Sequence, residues 1–297
     1  MNLNMDIQSF FEHCDDLLNR WSIEDKSLEA EDSFLAIQKE GKGLLTKEYF
    51  GTMPEPFWGN PDCCSVVMIN LNPAYKEGHE SLFSREKTKK LIPNGYSSFA
   101  KGFPILDEDS FNPEGKVWWE GRKKYLDRLV DAYPGKKHPD EKRLPFAIEI
   151  CPWQTATWQE TKINIARNKS LNSYIQRHVL DPAAYAVKNS QADFAVGIGL
   201  PIIDALLDYG FTIVKSWGPK TDDEHYRNKN THSLPAKYPT TYKKDKAEKT
   251  PANVFFKLLV KGDLKVLCIR MSGSNGVPRP EFRDCVEPEI LTYISNL

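Results

Sequence analysis

Four short, uninterrupted apolar runs constrain this chain more than any other feature. Residues 64–71 read C-S-V-V-M-I-N-L, and residues 144–150, 192–198 and 264–270 have the same character. Runs of this length without alternation are the pattern of strands covered on both faces. Helical patterns separate them: about 117–133, stopped by Pro134; roughly 161–179; and 202–209, closed by Gly210. Strands alternating with helices predict an α/β fold in three layers, α/β/α, around a central parallel sheet of about four strands. A weaker run, 211–215, reads as an edge strand.

The chain begins differently. Phe10, Phe11, Cys14, Leu17, Leu18 and Trp21 recur at helical spacing and make one apolar stripe. A second helix is expected after Ser27, which can cap it, and Gly41 ends it. This gives an N-terminal helical segment, 1–50, packed on a main α/β domain, 51–297. Residues 218–251 are polar and lysine-rich and read as a long loop or insertion. A last helix is expected after Pro288.

A chain of 297 residues can bury a substantial core. No window of about 18 apolar residues is present, and the N-terminus lacks the basic start and apolar core of a signal peptide. Cys14, Cys63, Cys64, Cys151, Cys268 and Cys285 are scattered and contain no C-x-x-C pair. That pattern fits reduced thiols in the cytoplasm and disfavours zinc or iron–sulfur ligation. Charge is unevenly distributed. Residues 1–62 hold 13 acidic and 5 basic side chains, and the remainder holds 28 acidic and 35 basic. A basic body can meet phosphates on one face, although solvated faces of both signs account for the same count.

In open parallel sheets, ligands bind beyond the carboxyl ends of the strands, so those ends are where chemistry is expected. The first strand runs into I-N-L-N-P-A-Y, residues 69–75, where Pro73 holds Asn72 extended at a sharp turn. The second runs into I-E-I-C-P-W-Q-T, residues 148–155, which places Glu149 near its end. The third ends in V-G-I-G-L-P. This run lacks the third glycine of a dinucleotide fingerprint and reads as a strand-to-helix turn. The fourth ends in R-M-S-G-S-N, residues 270–275, a small-residue loop with free N–H groups.

The order and character of these strand ends resemble the uracil-DNA glycosylase superfamily, nearest its branches with a G-x-N-P-G first motif. These are the single-strand-selective and mismatch-specific enzymes. N-L-N-P-A, residues 70–74, lies over that motif. F-A-I-E-I-C-P, residues 146–152, lies over the strand bearing the base-reading asparagine. The loop 270–275 lies over the family's H-P-S loop. The resemblance runs from about Pro54 onward.

The resemblance implies base excision from DNA, single- or double-stranded, without cofactor or metal. A flipped nucleotide enters a tight pocket, and its N-glycosidic bond is hydrolysed. Asn72 would orient the attacking water, and Arg270 would stabilise the departing base. Asn70, Leu71 and Pro73 would line the pocket with Glu149. Tyr75 would stack on the base, with Phe83 and Phe99 as alternatives. Ser272, Ser274 and Asn275 would meet phosphate or the minor groove.

Three departures from the family pattern stand out. Asn70 and Ala74 replace glycines that let the backbone approach a ligand. Glu149 replaces an asparagine: ionised it only accepts hydrogen bonds, and only a protonated form would imitate the amide. No histidine falls at the last loop, where Arg270 stands. A salt bridge between Arg270 and Glu149 is the competing expectation. It would fill the pocket and leave a catalytically silent nucleic-acid or nucleotide-binding protein.

Overall fold

The computed structural model describes residues 6–39, 52–71, 73, 84–135, 143–154, 169–217, 232–233, 240–243, 248–251, 255–270, 278 and 280–297. Helix α1 (Ile7–Ser22) opens with the Asp6 carboxylate accepting from the Gln8 amide, and its apolar stripe is buried as the spacing predicts. The second expected helix is two: α2 (Leu28–Glu31) and α3 (Ser33–Lys39). Asp32 divides them because its carboxylate accepts from the amides of Phe34 and Leu35 at 2.9 and 3.0 Å, capping a new start.

Strands β1 (Phe57–Trp58) and β2 (Val67–Asn70) come next. Helices α4 (Arg85–Leu91) and α5 (Tyr96–Lys101) lead to α6 (Pro113–Ala132). Asn112 caps α6, Pro113 occupies its first turn, and it stops short of Pro134. Strand β3 (Phe146–Glu149) precedes α7 (Lys169–Ile175), a π turn (Gln176–Leu180) and α8 (Asp181–Asn189). The helix expected to end near Val179 therefore continues past it. Pro182 sits in the first turn of α8, where its missing N–H is harmless.

Strand β4 (Ala195–Ile198) leads into α9 (Leu200–Asp208), and β5 (Thr212–Trp217) follows. The segment 218–251, expected as a loop, contains β6 (His232–Ser233), β7 (Thr240–Lys243) and β8 (Glu248–Pro251). The last two pair with each other. Strands β9 (Phe255–Lys261) and β10 (Leu264–Arg270) precede α10 (Pro280–Ser295), which begins well before Pro288 and carries it internally.

The protein is α/β, with a mixed sheet ordered β1-β3-β2-β4-β10-β9-β5-β6 among the described residues. Strands β3, β2, β4 and β10 form the expected four-stranded parallel core. The sheet as a whole is neither four-stranded nor purely parallel. β1 adds antiparallel beside β3, and β9 adds antiparallel beside β10. β5 is not an edge strand, because it lies between β9 and β6. The β9–β10 pair turns tightly at Gly262, whose positive φ of 58° suits a short hairpin.

Helices flank the sheet. Phe10 of α1 packs with Phe57 and Phe146, at ring separations of 5.1 and 6.5 Å. On that same pleat row, a Cβ on Gly197 would come within 2.9 Å of Ile202 in α9. The alternate row carries Met68, Ala147 and Val196, with Asn70 and Glu149 at its carboxyl end. Arg122 of α6 is one of two charged groups, with Glu55, that act on Glu149 at that end. α10 is tied to α6 where the Tyr125 hydroxyl donates to Glu287 at 2.9 Å.

Candidate functional site at the strand ends

After β2 the chain adds β3 on one side of it and then β4 on the other. The strand order therefore reverses at the carboxyl ends of β2 and β4, the crevice in which open α/β sheets receive ligands. Gly199 ends β4 there with φ of 122°, a conformation that favours glycine, and its amide donates to the Ile269 carbonyl at 2.9 Å. The strand-to-helix turn expected from V-G-I-G-L-P is what forms.

Asn70 and Glu149 stand directly opposite each other as the last residues of β2 and β3. The Asn70 amide nitrogen donates to Oε1 of Glu149 at 2.9 Å. Both side chains are buried, 8% and 6% exposed. The backbone ladder extends past them: the amides of Ile150 and Cys151 donate to the carbonyls of Asn70 and Leu71, each at 2.9 Å. Glu149 Oε2 is buried and has no hydrogen-bond partner.

Burial holds the Glu149 carboxyl well above its ordinary 4.5. The Asn70 hydrogen bond and the Arg122 charge oppose that rise, and nearby Glu55 adds to it. That upward shift favours the neutral acid. In that form Oε1 accepts from Asn70 while Oε2 carries a proton it can donate.

Glu55 sits between Pro54 and Pro56 on the approach to β1. Its carboxylate accepts from Trp58 Nε1 at 3.1 Å and from the Gln154 side-chain amide. Burial pushes Glu55 up to about 7 against those two bonds. Its amide donates to the Pro152 carbonyl at 2.7 Å, so the I-C-P-W-Q turn after β3 anchors it.

Arg122 projects from the buried stripe of α6, between Trp119 and Leu126, and is 8% exposed. Its guanidinium lies over the Trp118 ring, 4.2 Å from the centroid. Nε is buried and has no hydrogen-bond partner. Burial lowers the group to about 10, and Glu149 is the charge that opposes the fall. Arg122 therefore stays cationic at neutral pH.

Of the residues singled out in sequence, Asn70 and Glu149 meet directly, and Leu71 joins them through its backbone. Pro73 is half-buried just beyond. Phe99 packs edge-on against Trp58, at 5.5 Å. Asn72, Tyr75, Phe83, Ser272, Ser274 and Asn275 lie outside the described residues. Arg270 closes β10 opposite Phe255, and its side chain is likewise not described. Glu55, Gln154 and Arg122 were not anticipated. The available signals were a glutamate between two prolines, a polar residue in the turn after β3, and one arginine inside an apolar helix stripe.

Among the described residues, no group of three or more His, Cys, Asp or Glu is placed to hold a metal ion, and no helix is long and apolar enough to cross a membrane. Cys14, Cys63, Cys64, Cys151 and Cys268 are free thiols. Comparison with protein-family models, with curated proteins and with solved structures finds no match.

Proposed function

We propose that this chain is a DNA glycosylase-like hydrolase, built as a three-layer α/β/α variant of the uracil-DNA glycosylase fold. It would act in the cytoplasm on a flipped, damaged or deaminated base. The observation that carries this reading is the Asn70–Glu149 pair at the carboxyl ends of β2 and β3, beside the switch point. Where the resemblance calls for an amide, burial favours the neutral form of Glu149, which would present an acceptor oxygen and a donor hydroxyl as an amide does. The sequence resemblance gives Asn72 the water and Arg270 the departing base. Tyr75, Pro73 and Leu71 would line the slot, and Ser272, Ser274 and Asn275 would hold the DNA backbone.

A silent nucleic-acid or nucleotide binder is the second reading, and one observation favours it. The Asn70 side chain stands where the resembling motif has glycine, and its amide is spent on Glu149. Incubation with single- and double-stranded oligonucleotides bearing uracil, hypoxanthine, xanthine or mismatches, followed by alkaline cleavage, separates the two. Abasic sites are expected with at least one substrate. DNA affinity without abasic sites leaves the silent binder, and no affinity at low salt removes both.

A further inference from the structure

We propose that the cleft between helix α4 and Phe111 takes one nucleotide unit of single-stranded DNA, with its base against Phe111 and its phosphate between Lys87 and Lys90. This contact rests on the DNA reading of the proposed function and lies on elements outside the strand-end motifs.

Lys87, Lys90 and Leu91 fall at i, i+3 and i+4 and so share one face of α4. With Phe111 they line a cleft of about 230 Å³. That is below the roughly 300–1,000 Å³ of pockets that enclose drug-sized ligands, so it suits a single ring. Another side of α4 is anchored, where Thr88 is buried, and the two lysines stay at the surface. Phe111 is half-buried, and its ring is backed by Phe99 at 5.6 Å and Trp58 at 6.1 Å. Trp58 is itself fixed by donating to Glu55 at 3.1 Å. The aromatic platform is therefore in place before a ligand arrives, which lowers the cost of ordering it. Through Phe111, Trp58, Glu55 and Gln154 the cleft is tied by contact to the turn after β3.

The rim of the cleft is cationic and its floor is apolar. Lys90 meets Glu86 at 2.9 Å, with the two side chains 74% and 82% exposed. An ion pair this open contributes little and can exchange its carboxylate for another anion. Arg85, the other arginine or lysine at this helix start, is committed elsewhere, to the Trp21 carbonyl at 3.0 Å and to Glu24 at 3.4 Å. Two ammonium groups beside an aromatic floor match an anion joined to a flat ring. Each nucleotide of a single strand offers a phosphate and an unpaired π face, and stacking on an aromatic side chain beside basic groups is sequence-tolerant. A duplex keeps its bases stacked on one another and offers no such ring without flipping.

The test is fluorescence anisotropy of a labelled oligothymidylate of about eight nucleotides over a series of salt concentrations. It is titrated with wild type, the double variant Lys87→Gln/Lys90→Gln, Phe111→Leu, and a control double variant, Lys26→Gln/Lys124→Gln, at exposed lysines on other elements. Melting curves report folding. Removing the two cleft lysines is expected to flatten the slope of log affinity against log salt by about 1.4 and to weaken binding about tenfold at low salt, with the control pair within about twofold of wild type. Phe111→Leu is expected to weaken binding at least about fivefold at an unchanged salt slope. That loss should vanish on an oligomer of abasic residues, which has the phosphates without the rings. If Phe111→Leu does not fold, the lysine pair decides, because both side chains lie in solvent. Wild-type affinity in either folded cleft variant overturns the contact and leaves the glycosylase reading standing, since that reading is judged by abasic sites. Equal losses in the cleft and control pairs mean diffuse charge and overturn it as well. No binding by wild type at low salt overturns it together with both DNA readings.

Discussion

The Asn70 amide donates to the Glu149 carboxyl across the last rung of the β2–β3 ladder, at 2.9 Å between two buried side chains. This contact converts two residues that depart from the resembling motif into one polar unit. It also draws the Glu149 carboxyl back toward its ordinary range, against the burial that raises it. Its consequences can be measured in stability and in activity.

Glu149→Gln keeps the acceptor for Asn70 and replaces the hydroxyl with an amide donor. The variant should melt within a few degrees of wild type at pH 7. Glu149→Ala leaves the Asn70 amide buried and unpaired, at a cost of about 1–3 kcal/mol plus the cavity. Urea denaturation of the two variants checks the ordering. A Gln variant as damaged as the Ala variant would show that the Asn70 contact is not what holds this site together.

Glu55 gives the protein a pH signature. Its folded-state value lies near 7 against an ordinary 4.5, so the native state holds a proton that the unfolded chain releases. Stability from this group is full below 4.5 and is lost as pH rises to about 7, by about 3 kcal/mol in total. Glu55→Gln should flatten the curve in that window. Denaturant midpoints at pH 5 and pH 7.5 test it; an unchanged slope in the variant would assign the titration elsewhere.

The acid limb should belong to a different pair. His13 and His178 stack with ring centroids 3.7 Å apart. Burial lowers His178 from 6.5 to about 3, helped by His13 and Arg177; burial also lowers His13, against the pull of Asp16. The unfolded chain binds protons there before the native state does. Stability is therefore full above 6.5 and is lost as pH falls toward 3. His178→Phe preserves the stack and should hold its melting temperature better than wild type between pH 6 and pH 4. Parallel acid curves for the two proteins would contradict this.

Helix α1 is part of the core. Phe10 is 1% exposed, with its ring against Phe57 and Phe146. Phe10→Ala should cost about 3–5 kcal/mol in urea denaturation. A cost below about 1 kcal/mol would mean that the helix contributes little to holding the sheet.

The four parallel core strands were legible because a strand covered on both faces must be apolar at nearly every position, as V-V-M-I and A-V-G-I are. β9 was not, because its lysines break the apolar run, although the Gly262 turn before Leu264 marked a hairpin. Asp32 reads as one helix residue among others until its carboxylate is seen capping α3. The motif residues Asn70 and Glu149 could be singled out in sequence, but the upward shift of the Glu149 carboxyl could not. That shift depends on the burial imposed by covering elements far apart in the chain. Arg122 was visible as a charge within an apolar stripe, yet nothing local announces that it would lie buried without a partner.

The most direct test of the account is the single-turnover rate of base release by wild type and Glu149→Ala, on whichever uracil, hypoxanthine, xanthine or mismatch oligonucleotide wild type cleaves. The account predicts release by wild type and a loss of at least about 100-fold in the variant, with its fold intact. Equal rates in the two proteins, or no release and no DNA binding by wild type, would contradict it.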